Sequence, residues 1–119
     1  VFVCIEGTDI DGHKFAADAL QSGAVMLIVT KDLGFKNQII VEDTRETYAV
    51  MCANWFGNPA KDLKIIGVTG TNGKTSVSCF LKAILDFCGY KTGLIGTIHN
   101  IIGDEVLSSK NTTPSAYEI

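Results

Sequence analysis

The sequence predicts an α/β fold with mostly parallel strand pairing, and three observations carry that expectation. Short, almost wholly apolar runs such as AVMLIVT (24–30) suit strands covered on both faces of a sheet. Other segments place apolar residues at i, i+3, i+4 and i+7, the helical period. The two kinds alternate along the chain, which is the order of βα units.

VFVCI (1–5) reads as a buried strand closed by Gly7. The loop TDIDG follows, with Asp11 placed to cap a helix over 13–22 that buries Phe15, Ala19 and Leu20 and stops at Gly23. Residues 24–30 form the second strand and, after a loop over 34–38, IIVE (39–42) the third. Asp43-Thr44-Arg45-Glu46 has the form of a capping box. The helix behind it presents Tyr48, Met51, Cys52, Trp55 and Phe56 on one face. Gly57-Asn58-Pro59 ends that helix, and AKDLK (60–64) reads as a connection. IIGVT (65–69) restarts as a buried strand and leads through a glycine-bearing loop into a second strong helix. The stripe of that helix is Val77, Phe80, Leu81, Ile84, Leu85 and Cys88, with Gly89 as its stop. TGLIGTI (92–98) is the next strand, and IIGDEVLSS (101–109) holds a Gly-Asp turn for a hairpin.

The chain has 119 residues, 46% apolar and 19% charged, enough for a packed core, and the break near residue 60 divides it in two. Its net charge of −3, without a block of like charges, gives no basic surface for a nucleic acid. Cys4, Cys52, Cys79 and Cys88 lie far apart in apolar runs, with no CxxC pair. They are expected as buried free thiols in a reducing, cytoplasmic setting rather than as a disulfide framework or zinc site. No apolar stretch reaches the length of about 18 residues that spans a bilayer. The chain opens inside an apparent strand without an initiator Met and closes at NTTPSAYEI, where a new helix begins. Both ends therefore read as cut, and a fragment is expected.

Gly70-Thr71-Asn72-Gly73-Lys74-Thr75 lies between the strand at 65–69 and the following helix. A helix start offers unpaired N–H groups and partial positive charge, and glycines let backbone curl around phosphate oxygens. Lys74 supplies a mobile charge toward β- and γ-phosphates, and the Thr75 hydroxyl is placed for Mg²⁺. The common pattern G-x-x-x-x-G-K-[ST] requires glycine at 68, where this chain has Val68. A nucleotide phosphate is still the expected ligand, given the strand and helix on either side. His13 and His99 are single histidines with surface or capping roles, and Asp9 and Asp11 read as turn and cap residues. In NTTP (111–114), Thr113 and Pro114 suit a helix entrance.

VTGTNGKTS (68–76) resembles the ATP loop of the Mur ligase family, whose T-G-T-N-G-K-T spacing accounts for Val68. FVCIEGTDIDGHKFAADALQSGA (2–24) is similar to that family's N-terminal uridine-binding domain. NTTP resembles the branch that adds the third peptide residue, the UDP-N-acetylmuramoyl-tripeptide synthetases. The likeness runs over essentially the whole chain. It implies a small α/β uridine-binding domain over 1–62, followed over 63–119 by the start of a P-loop-type, mostly parallel α/β ATP-binding domain.

The resemblance also implies an activity: ADP-forming ligation in the peptidoglycan synthesis that underlies cell shape and division. ATP phosphorylates a carboxylate of UDP-N-acetylmuramoyl-L-alanyl-D-glutamate, and the amine of a diamino acid displaces phosphate. Gly70, Thr71, Asn72, Gly73, Lys74, Thr75 and Ser76 align with the ATP loop, Lys74 catalytic and Thr75 toward Mg²⁺. Asn111, Thr112 and Thr113 align with a substrate-contacting segment, and Thr8, Asp9 and Ile10 with the uridine-side loop. Ser76 stands where the family often has Thr. The family's magnesium-binding glutamate, modified lysine and amine-selecting domain are expected beyond Ile119, so residues 1–119 alone should form no amide. A monomer without nucleic-acid or membrane partners is expected. The rival expectations are the related ligase that adds D-Ala-D-Ala and a phosphate-loop regulatory ATPase with an N-terminal docking module. The added amino acid is left open.

Overall fold

The computed structural model describes residues 1–108 and 114–117. The chain forms two compact units, Val1–Asn58 and Pro59–Ile119. The first contains β1 (Phe2–Val3), a 3₁₀ turn (Gly12–Phe15) running into α1 (Ala16–Gln21), β2 (Leu27–Val29), β3 (Gln38–Ile40) and α2 (Thr44–Trp55). Its strands lie in the order β1-β2-β3, all parallel, with Val3 opposite Ile28 and Ile28 opposite Ile39. β2 is the central strand and is buried throughout, as its unbroken apolar run predicts. Cys4, Ala16, Leu27 and Val29 form the core, with Phe2, Leu20 and Phe35 packed against it.

Helix positions follow the expectation, but the buried faces differ. The first helix opens as a 3₁₀ turn, in which residues i and i+3 eclipse, so His13 and Ala16 turn inward. Phe15, expected in the core, is left exposed, while Ala19 and Leu20 are partly buried. Asp43 caps α2 as expected, its carboxylate accepting from the N–H groups of Arg45 and Glu46. α2 buries Thr44 and Cys52, whereas Met51, Phe56 and Trp55 (82% exposed) of the expected stripe face solvent. A helix of 12 residues spans about 18 Å, while strands of two or three residues span no more than about 10 Å. So small a sheet cannot cover the whole face.

The second unit contains a 3₁₀ turn (Pro59–Asp62), α3 (Lys74–Phe87), β4 (Gly93–Ile95), β5 (His99–Ile102) and β6 (Glu105–Ser108). Its strands form an antiparallel meander, with Ile102 paired to Glu105 across the expected turn at Gly103 and Asp104. The α/β class is as predicted, but among the described residues parallel pairing is confined to the first unit. Residues 65–69, expected as a buried strand, form no ladder, and Ile65 is 76% exposed. Apolar patterning marks such a segment, but a strand exists only through the partner that takes its backbone bonds. No such partner lies alongside it among the described residues.

α3 ends as predicted at Gly89, which adopts a left-handed conformation. The Gly89 N–H donates to Asp86 O and the Tyr90 N–H to Leu85 O, satisfying the last carbonyls of the helix. Leu81 and Leu85 are half-buried, while Val77, Phe80, Ile84 and Phe87 are exposed. Lys82 fixes the helix: its Nζ donates to Asp86 (2.8 Å), Thr92 Oγ1 (3.0 Å) and Gly103 O (3.2 Å). That bond and the Thr92 hydroxyl hold the Asp86 carboxyl below its ordinary pKa. All four cysteines are free. Cys4 and Cys52 are buried as predicted, but Cys79 and Cys88 are exposed, because the described residues leave their part of α3 uncovered. No described helix is long and apolar enough to cross a membrane.

Candidate functional site

Two loops carry the predicted site residues that the structure describes. In the second unit, Gly70 and Gly73 both have positive φ (148° and 77°), and Gly73 is the residue that opens α3. A Cβ at Gly73 would meet no atom within 4 Å, so its glycine is needed for backbone angle rather than for space. α3 begins without a side-chain cap and without an acidic residue in its first turn. Its leading N–H groups therefore keep the partial positive charge that draws an anion. Lys74 Nζ folds over the loop, donating to Gly70 O at 2.6 Å and lying 3.4 Å from Thr71 O. Gly70, Thr71, Asn72, Gly73, Lys74 and Ser76 are exposed and Thr75 is half-buried. The loop thus brings an ammonium and a bare helix start together at a solvent-facing surface.

In the first unit, the 7–12 loop follows β1 at the carboxyl edge of the parallel sheet, where open α/β sheets bind ligands. The Gly7 N–H donates to Ile10 O at 2.8 Å and the Gly12 N–H to Ile5 O at 3.0 Å. A Cβ at Gly12 would lie 2.7 Å from Ile5 O, so no other residue fits there. Thr8, Asp9 and Ile10 form the exposed tip. Arg45 Nη2, at the start of α2, donates to Glu6 O at 2.9 Å. Asp11 anchors the loop's far end: its Oδ1 accepts from the His13 N–H (2.9 Å) and lies 2.6 Å from His13 Nδ1, while Lys31 Nζ is 3.4 Å from Oδ2.

The two His13 contacts, backbone first, and then Lys31 hold the Asp11 carboxyl down to about 2 from its ordinary 3.8. A carboxyl depressed in the folded state stabilises it above its unfolded pKa, and that contribution is lost as pH falls through the folded one. Stability is therefore expected to decline from about pH 4 toward about pH 2, and D11N to flatten that slope in acid denaturation profiles. Burial first, and the Asp11 charge second, push the Cys4 thiol up, so it is a core residue and not a nucleophile.

Residues 68–119 match the family model of the Mur ligase middle domain. A protein of Clostridium perfringens (strain 13 / Type A), described as UDP-N-acetylmuramoyl-L-alanyl-D-glutamate--2,6-diaminopimelate ligase, is 49% identical over 121 residues, 99% of this chain and 25% of that one. A protein of Listeria monocytogenes serovar 1/2a with the same description is 44% identical over 117 residues, 98% of this chain and 24% of the relative. The crystal structure of MurF ligase from Thermotoga maritima in complex with ADP is similar with a TM-score of 0.52. It shares 31% identity over 72% of this chain and 20% of that one. The chain belongs to the Mur ligase family. It spans about a quarter of the length of the curated relatives it matches.

Membership of the Mur ligases gives the T-G-T-N-G-K-T loop its context. Among the residues assigned by sequence, 70–76 lie together on one loop and helix start, and 8–10 on another loop in the other unit. Asn111, Thr112 and Thr113 lie outside the described residues. The described residues contain no group of three or more His, Cys, Asp or Glu side chains able to hold a metal. His13, assigned a surface or capping role from sequence, is instead buried, 6% exposed, with both ring nitrogens engaged. The sequence held no signal for it, because the expected buried face of that helix is Phe15, Ala19 and Leu20, and the inward turn of His13 and Ala16 comes from the 3₁₀ start. Lys31 and Arg45, which anchor the 7–12 loop, carried no sequence signal beyond their charge.

Proposed function

We propose that this chain supplies the uridine-side and ATP-side parts of an ATP-dependent, ADP-forming ligase. The complete enzyme adds the third peptide residue to UDP-N-acetylmuramoyl-L-alanyl-D-glutamate through an acyl phosphate. The observation that carries the proposal is the uncapped start of α3 behind a left-handed Gly73, with Lys74 Nζ suspended over the loop carbonyls. The descriptions of the Clostridium and Listeria relatives support diaminopimelate as the incoming amine and argue for this branch over the one that adds D-Ala-D-Ala.

On this reading, residues 1–62 bind the uridine portion through Thr8, Asp9 and Ile10, and residues 63–119 begin the ATP-binding domain. Asn111, Thr112 and Thr113 contact the muramoyl peptide. Backbone N–H groups over 70–76 hold the phosphate tail, and the ADP in the structure of the Thermotoga relative supports a nucleotide as ligand. Lys74 exchanges its two carbonyl contacts for β- and γ-phosphate oxygens and offsets the charge that repels an approaching carboxylate. The Thr75 hydroxyl would be this chain's ligand for Mg²⁺, which would supply charge neutralisation at the phosphates when bound. One hydroxyl could not hold the ion alone, so further oxygen ligands would be required. The enzyme works in the cytoplasm, as a monomer.

Calorimetric titration of the full-length protein with UDP-N-acetylmuramoyl-L-alanyl-D-glutamate tests the proposal. Saturable binding that is lost when residues 1–62 are removed is expected. Nucleotide binding without muramoyl affinity would overturn it in favour of a phosphate-loop regulatory ATPase.

A further inference from the structure

His13 is a titratable side chain that the proposed chemistry does not use. It is buried, yet it sits at the foot of an exposed loop. The N–H of Thr30, just beyond the end of β2, points at His13 Nε2 from 3.1 Å. A backbone N–H only donates, so Nε2 must accept and carries no proton. The ring's proton then belongs on Nδ1, 2.6 Å from the Asp11 carboxylate that receives it. Thr30 Oγ1, 3.2 Å from Nε2, completes the contact as a second donor. The other neutral tautomer, and the doubly protonated ring, would set N–H against N–H at Thr30.

Among the described residues, Asp11 from the loop pairs with the ring, while Lys31 beyond β2 and the Cys4 thiol after β1 interact with Asp11 rather than with the ring itself. They close a circuit. Lys31 meets Asp11, Asp11 meets His13, and His13 returns to Thr30, the neighbour of Lys31 in sequence. Glu6 and Asp11 pair across the neck of the loop, and Gly12 is pressed against Ile5. The feet of the loop are therefore fixed, and its tip at Thr8, Asp9 and Ile10 projects from a rigid base.

We propose that His13, as the tautomer protonated on Nδ1, is the positioning residue that locks the 7–12 loop onto the end of β2 and so presents Thr8, Asp9 and Ile10 to the uridine portion of the substrate. The inference rests on the functional reading above for the identity of that ligand, but not for the lock itself. Preorganisation of a binding loop lowers the ordering cost of association. Its loss should weaken binding without touching the reacting atoms.

The test has two arms on the full-length protein. Nitrogen-15 spectroscopy of the imidazoles of the unsubstituted protein should place His13 in the Nδ1-protonated form at neutral pH; a proton found on Nε2 would overturn the lock irrespective of any substrate. In the second arm, H13F keeps a ring of similar size but removes both polar contacts. It should raise the KM for UDP-N-acetylmuramoyl-L-alanyl-D-glutamate about tenfold with little change in kcat. H13Q retains an acceptor for the Thr30 N–H and should recover part of that loss. Unchanged KM in H13F, or kcat falling with KM constant, would overturn the inference and leave the functional reading standing. If H13F fails to fold, H13Q and the spectroscopic arm decide. Failure of the unsubstituted protein to bind the uridine substrate would overturn the functional reading and this inference together.

Discussion

Replacing Lys74 with Met in the full-length enzyme is expected to slow acyl-phosphate formation by about a hundred- to a thousandfold, the cost typical of removing one donor aimed at transition-state charge. Methionine keeps most of the aliphatic length but has no ammonium. The loss should fall mainly on kcat, because charge on the transferred phosphoryl group is greatest in the transition state. Stability should change by no more than about 0.5 kcal/mol, since Lys74 is exposed and its contacts are with loop carbonyls that water can satisfy. Rapid-quench measurement of ADP release, beside a denaturation curve, separates the two effects. A K74M enzyme with unaltered turnover would remove Lys74 from the chemistry.

The second large effect concerns the fold. Leu27 is fully buried (0% exposed) in the central strand of the first unit, paired on one side with Phe2 and on the other with Gln38. L27A removes buried hydrocarbon and leaves a cavity, which costs about 2–5 kcal/mol. Against a domain stability of about 5–15 kcal/mol this is a large fraction. Ile39 is a control of similar size on edge strand β3, 49% exposed, so I39A should cost about 1 kcal/mol or less. Urea denaturation followed by far-UV circular dichroism reads both. Equal losses at the two positions would contradict the assignment of the core to β2.

These positions show where the sequence was legible. The start of α3 at Gly73, the Asp43 cap, the Gly89 stop and the Gly103 turn depend on contacts within a few residues, so spacing and residue type were enough to place them. Burial was harder to read. The stripes of α2 and α3 were visible, but which residues lie inside depends on what covers the helix, and Trp55 and Phe80 are left exposed. The same limit applies to 65–69, whose strand character needs a neighbour to take its backbone bonds. His13 was misplaced because one 3₁₀ turn rotated the helix start and drew the ring toward Thr30, 17 residues away in sequence. In the candidate site, residue types were legible while the resting position of Lys74, folded over its own loop, was not.

The central claim is that backbone N–H groups of the 70–76 loop hold a nucleotide's phosphates. Amide NMR of the full-length protein, titrated with ATP and Mg²⁺, tests it most directly. The amide signals of Gly70, Thr71, Asn72, Gly73, Lys74 and Thr75 are expected to shift together and saturate with one affinity. Saturable ATP binding that leaves those six signals unmoved, or no ATP binding at all, would contradict the account.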